Sequence, residues 1–140
     1  MWIEKKPEYG DHIRVNRGYY YHHGIYENDD TIYQFASPIG SEISPENAII
    51  CTCNIEAFRK NGSIEVRTYN EFELKDKRKP KEIIKFAKSK LNDNLGGYNI
   101  VTNNCEHFAN LCVFGVAKSD QVDDILSKLG GLFRWDLELI

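Results

Sequence analysis

Cys105, a histidine at 22 or 23, and Gln34 are the residues whose types could together carry out nucleophilic chemistry. A thiol attacks a carbonyl when a base takes its proton, and the base works best when a third polar group holds its tautomer and orientation. Cys105 lies in Asn103-Asn104-Cys105-Glu106-His107-Phe108-Ala109-Asn110, which reads as the opening of a helix. Asn104 is a good N-cap residue, because its side-chain oxygen can accept from an N–H that the first turn leaves unpaired. Cys105, Phe108, Ala109 and Cys112 recur at i, i+3, i+4 and i+7, one buried stripe. The thiol is therefore expected in the first helical turn, where unpaired N–H groups and the macrodipole favour an anion and lower a thiol's pKa. A small apolar Cys packed at a helix start satisfies the same pattern. The base decides between the two.

Residues 19–35 are expected to supply it as a β-hairpin. Tyr19-Tyr20-Tyr21-His22-His23-Gly24-Ile25-Tyr26 is rich in strand formers, Glu27-Asn28-Asp29-Asp30 is turn-like, and Thr31-Ile32-Tyr33-Gln34-Phe35 returns. A three-residue loop pairing Tyr26 with Asp30 sets His22 opposite Gln34. One more loop residue sets His23 there instead. Side chains alternate along a strand, so this slip decides which histidine points at the helix, and local sequence leaves both registers open.

The other histidines are poorer bases. His12 sits near a first strand with no evident role, and His107, two residues past Cys105, points about 200° around the helix; both read as surface or locally bonded residues. A zinc set of His22, His23 and Cys105 with Cys51 or Cys53 matches no common ligand spacing. No metal and no cofactor are expected.

The remaining elements follow from pattern. Gly10-Asp11 is a turn before a strand with Ile13 and Val15 inward, residues 36–47 form a loop with two Pro and a Gly, and residues 48–53 are a short buried strand. Asn54 opens and Gly62 closes a helical turn, and residues 64–69 alternate as a half-buried strand. Pro80 starts a helix with Ile83, Ile84, Ala87 and Leu91 inward. Residues 92–97 break it, Tyr98-Asn99-Ile100-Val101 leads to the cysteine stretch, and a further helix is capped by Ser119 or Asp120. No element is assigned to residues 130–140.

Composition narrows the function classes. The chain has 140 residues, 41% hydrophobic and 28% charged, which suits one globular domain over 1–140. Two Trp, eight Tyr and seven Phe point to a sheet-containing fold and an aromatic cleft. A net charge of −3 argues against nucleic acid as a partner. No apolar run reaches membrane-span length, and the first residues lack a signal-peptide core, so the expected location is cytoplasmic, with peripheral membrane contact. The four cysteines are expected to be free thiols. Residues 75–90 carry eight Lys or Arg against Asp76 and Glu82. They read as a solvated helix face or as a patch, Lys77, Arg78, Lys79 and Lys81, that docks on anionic phospholipid.

Asn104-Cys105-Glu106-His107-Phe108, followed by Gly115-Val116-Ala117-Lys118-Ser119-Asp120-Gln121-Val122, resembles the cysteine motif of the lecithin:retinol acyltransferase-like family, which includes the small phospholipase A/acyltransferases. Gly10-Asp11-His12-Ile13 and His22-His23-Gly24-Ile25-Tyr26 resemble its histidine box, so the similarity runs from about Gly10 to Val122. The resemblance implies an α+β, permuted papain-like domain: an antiparallel sheet packed on helices, the nucleophile at a helix N-terminus, and the base earlier in the chain. It implies Cys105 as nucleophile and His22 as general base, with His23 in the aromatic position that follows. Gln34 stands where the family usually has a second histidine and would orient His22. Arg17 and Tyr20 match positions near the family's active-site mouth, Tyr20 with an oxyanion role.

The activity implied is ping-pong acyl transfer from a glycerophospholipid ester through a Cys105 thioester, resolved by water, an alcohol or an amine. With no C-terminal anchor read in the chain, lipid access would rest on the basic patch. Two other classes fit the same residues: a cytoplasmic thiol amidase or peptidase of the permuted papain-like superfamily, and a non-catalytic interaction domain in which Gln34 marks lost activity. Nothing in the residues sets an oligomeric state.

Overall fold

The computed structural model describes residues 1–37, 48–95 and 101–115. The loop expected over 36–47 lies almost wholly outside them, as do the capped helix after 118 and the chain end. Six strands form one antiparallel sheet: β1 (Trp2–Glu4), β2 (Asp11–Asn16), β3 (Tyr21–Asn28), β4 (Thr31–Ala36), β5 (Ile49–Cys53) and β6 (Ile64–Arg67), in spatial order β1-β6-β2-β3-β4-β5. Among the described residues four helices accompany it: α1 (Ile55–Arg59), α2 (Glu71–Asp76), α3 (Pro80–Ser89) and α4 (Val101–Phe114). The α+β class and antiparallel sheet agree with expectation.

The strand alternation sorts side chains onto two cores. On one face, Ile25, Tyr33, Phe35 and Ile50 meet Ile83, Ile84 and Ala87 of α3 and Cys105, Phe108, Ala109 and Cys112 of α4. On the other, Ile13, Val15, Tyr26, Ile32, Ile64 and Val66 enclose Phe58 of α1. The stripe at i, i+3, i+4 and i+7 is thus the buried face of α4. Gly24 stands at the centre of the second face, where an added Cβ would come within 2.7 Å of the Phe58 ring and 2.9 Å of Ile32. Only a residue without a side chain lets Phe58 lie this close to β3.

Local signals explain most boundaries. Asn54 caps α1 by accepting from the Ala57 N–H at 2.8 Å, as expected. The helix ends at Lys60 (φ 51°), not at Gly62, whose N–H instead closes a turn onto the Arg59 carbonyl. Asn70 and Glu73 form a reciprocal capping box that starts α2. Leu91 lies beyond the end of α3 and is 39% exposed, so only Ile83, Ile84 and Ala87 form that helix's inner face.

Candidate active site

The hairpin register differs from both expected ones. Asn28 pairs with Thr31 around a two-residue turn, a bulge intervenes at Glu27, and Gly24 lies opposite Gln34. His22 is therefore diagonal to Gln34, not directly across from it. The register keeps even parity, so His22 and not His23 shares Gln34's face. There His22 Nε2 and Gln34 Oε1 are 2.7 Å apart, and the ring packs 5.0 Å from Phe58.

The orientation of the Gln34 amide follows from its other neighbour. The Cys51 thiol lies 3.7 Å from the Ala36 carbonyl, to which it donates, and its sulfur faces Gln34 Nε2 at 3.9 Å. The sulfur accepts from the amide NH2, leaving Oε1 to accept from His22 Nε2–H. That puts the His22 proton on Nε2 and the lone pair on Nδ1. Gln34 thus has the position of an orienting residue.

The helix face belongs to His23. Its parity matches Ile25, and its Nε2 is 3.9 Å from Glu106 Oε2 of α4. His22 is the histidine that meets Gln34, and His23 the one that faces Glu106. The zinc set is divided, since neighbouring side chains on a strand project to opposite faces.

Cys105 is fully buried in the α4 core, and its Sγ lies 3.9 Å from the Tyr21 carbonyl, to which the thiol donates. The Arg17 N–H donates to the Tyr20 carbonyl, which therefore points toward β2. Carbonyls alternate along a strand, so that of Tyr21 points to the β4 side. The β3–β4 register begins only at Gly24/Gln34, and the thiol meets the strand before that ladder starts. The thiol thus meets β3 at Tyr21, the residue before His22.

One expectation about the cysteine is corrected. α4 starts at Val101, so Asn104 lies within the helix and Cys105 is its fifth residue. Valine and threonine are only mildly unfavourable in a helix, and packing of the stripe outweighs that preference. The N–H groups that helix geometry leaves unpaired belong to residues 101–104. The macrodipole acts mainly within the first turn. The helix end therefore favours a Cys105 thiolate less than a first-turn position would.

Arg17 and Tyr20 form the turn between β2 and β3, beside the thiol. Arg17, however, directs its guanidinium to the Phe58 and Arg59 carbonyls at the end of α1, the task of a helix C-cap. Tyr20 is half-buried. In the basic stretch, Lys79 and Lys81 are exposed, whereas Lys77 and Arg78 are half-buried, Arg78 lying over the Phe86 ring. The Arg78 N–H bonds the Val113 carbonyl at 2.8 Å. Val113 lies about 12 Å along α4 from Cys105 at 1.5 Å per residue, so the patch and the thiol occupy opposite ends of the helix.

His12 and His107 are not surface residues. Both are buried, and His12 Nε2 bonds His23 Nδ1 at 2.8 Å. Burial first, then the mutual approach of neighbouring histidines and the nearby Arg14 and Arg67 charges, holds His12 and His23 well below the ordinary histidine pKa. Burial alone lowers His107 to about 4. These rings take up protons in the unfolded chain near pH 6.5 but resist doing so in the fold. Stability should be full above pH 6.5 and fall as the pH drops toward the folded-state values, with about 3 kcal/mol lost by pH 4 from a shift of this size in one ring. Urea midpoints at pH 7.5, 6 and 5 measure this, and unchanged midpoints would show that these rings carry protons in the fold.

Comparison with known proteins gives a family model, lecithin retinol acyltransferase, that matches residues 5–118. The chain is 29% identical over 131 residues to human "Phospholipase A and acyltransferase 3", covering 86% of this chain and 79% of that protein. Human "Phospholipase A and acyltransferase 2" is 29% identical over 135 residues, 89% of this chain and 82% of the relative. Mouse "Phospholipase A and acyltransferase 3" is 30% identical over 135 residues, 89% of this chain and 82% of the relative.

Proposed function

The chain belongs to the lecithin retinol acyltransferase family, and on that footing we propose that it transfers or hydrolyses the acyl groups of glycerophospholipids through a thioester on Cys105. The observation that carries this reading is the His22–Gln34 bond, which leaves Nδ1 as the basic nitrogen next to the strand residue whose carbonyl holds the Cys105 thiol. The order His22, Gln34, Cys105 is the papain-like arrangement in permuted form.

His22 Nδ1 takes the thiol proton as Sγ bonds to the sn-1 or sn-2 ester carbonyl. Unpaired amides at the start of α4 serve as oxyanion donors. As the C–O bond breaks, the His22 imidazolium returns its proton to the lysophospholipid alkoxide. Water, an alcohol or an amine then attacks the thioester, giving its proton to His22, and thiolate leaves and is reprotonated. Water as acceptor makes the protein a phospholipase A, and an alcohol or amine makes it an acyltransferase. Neither route needs a metal or cofactor. Among the described residues no helix is long and apolar enough to cross a membrane. Substrate reaches the site from a lipid surface, with Lys75, Lys79, Lys81, Lys85 and Lys88 the exposed cations of the basic stretch.

Incubation with phosphatidylcholine labelled in its acyl chain should leave label on the Cys105 peptide, released by neutral hydroxylamine. An unlabelled Cys105, with reaction at a labelled amide substrate instead, would move the assignment to an amidase. Silence toward both would leave an interaction domain.

A further inference from the structure

His22 and Gln34, the proposed base and its partner, meet beside Phe58. The α4 face holds a separate group of buried polar side chains that this chemistry does not use. Arg67 of β6 approaches His12 of β2, His12 bonds His23 of β3, and His23 faces Glu106 of α4. Arg67 also bonds Asn110 of α4 at 2.5 Å and Glu73 at 2.9 Å. Glu106 and Asn110 are four residues apart, on one face of the helix. The group is therefore a ring that leaves α4 at Glu106, crosses three strands and returns to it one turn later.

The direction of its hydrogen bonds is forced. A guanidinium can only donate, so His12 Nδ1, 3.5 Å from Arg67 Nη1, must accept. The His12 proton then lies on Nε2 and is donated to His23 Nδ1 at 2.8 Å. The His23 proton lies on Nε2 and points at the Glu106 carboxylate, 3.9 Å away, close enough for charge–dipole attraction without a direct bond. Both rings are neutral and Trp2 packs edge-on against each, 4.9 Å from His12 and 5.5 Å from His23. Arg14, over the Trp2 and Tyr21 rings, is a second cation beside the two histidines. A protonated ring would set two N–H groups against each other, so the chain persists only with both rings neutral.

We propose that His12 and His23 are positioning residues for the nucleophile: the Arg67–His12–His23–Glu106 chain, closed through Asn110, fixes the height and rotation of α4 over β3 so that Cys105 stays at the Tyr21 carbonyl. Glu106 is bonded through the backbone to Cys105, so any rotation of the helix that lengthens the His23–Glu106 approach moves the thiol with it. Apolar packing alone would fix the helix less sharply, because Cys105, Phe108, Ala109 and Cys112 can slide over the aliphatic strand residues beneath. The inference rests on the reading that Cys105 reacts.

The test is the rate of Cys105 alkylation by iodoacetamide across pH 5–9, read by mass spectrometry of its peptide, in His12→Leu, His12→Gln and His22→Ala. Leucine keeps the volume of His12 and breaks the chain. Glutamine can accept from Arg67 and donate to His23. His12→Leu should slow alkylation about tenfold through misplacement of the thiol, and His12→Gln should restore most of the rate even where both lower the thermal midpoint. A purely structural role would lower the midpoint in both and leave the rate of the folded protein unchanged, and that result overturns the proposal. His22→Ala reports separately on the base: a wild-type profile there removes His22 from the reaction without bearing on His12. Should His12→Leu fail to fold, nitrogen-15 NMR of the wild-type rings at pH 7 decides. Both must be Nε2–H tautomers with a coupling across the His12–His23 bond, and a charged ring or reversed tautomer overturns the chain.

Discussion

Cys105→Ala should abolish hydrolysis and acyl transfer together, by at least about 10³-fold, because nucleophile and base act as a unit and the residual rate reflects binding alone. The same substitution should cost the fold little, about 1 kcal/mol for the loss of one buried heavy atom. Cys112 supplies the control. It lies on the same stripe, is equally buried, and burial pushes its thiol far up, so it stays protonated at any working pH. Cys112→Ala should lose comparable stability and keep the activity. Phospholipid turnover and urea midpoints measured on both variants separate catalysis from packing. A Cys105→Ala protein that still turns over phospholipid at more than a hundredth of the wild-type rate would exclude the thioester route.

The asymmetry between these two cysteines was only half legible in the sequence. Periodicity placed both on the buried face of a helix, and that holds. What periodicity could not fix was where the helix begins. Asn104 is a strong capping residue, yet the stripe that follows packs well enough for the helix to continue back through Thr102 to Val101. The hairpin shows a similar limit. Its strands were evident from composition, but its register depends on a bulge that no residue type announces. Parity nevertheless carried the useful result, since any even register puts His22 with Gln34.

Other features were beyond local pattern. β1 is three residues long and owes its existence to pairing with β6, a partner more than sixty residues away. α2 did carry a signal, Asn70 followed by Glu73, and reading it as a capping box would have found the helix. His12 and His23 look ordinary in sequence. They become a pair only because β2 and β3 are neighbours, and they gain a charged partner at each end only once β6 and α4 are in place. Chemistry built across four elements is invisible until the sheet order is known.

The second large effect is expected at the base. His22→Ala should lower turnover about 10²–10⁴-fold, the usual range for a lost general base, and should move the onset of Cys105 alkylation up toward that of a free thiol. Gln34 allows a finer test, because it is neutral. Its carbonyl oxygen fixes the His22 tautomer but offers no charge to the imidazolium that forms when the thiol ionises. Gln34→Glu places a carboxylate at that position, 2.7 Å from Nε2 in the present geometry. An anion there favours the protonated ring and raises the His22 pKa. The neutral base is then lost at a higher pH, so the acid limb of the pH–rate profile should move up by about one unit or more. Gln34→Ala should instead lower the plateau without moving the limb in that direction, since it removes orientation and adds no charge. Opposite signatures from two substitutions of one residue would place Gln34 on the ring of the base. An acid limb unmoved in Gln34→Glu would mean that the group titrating there is not His22.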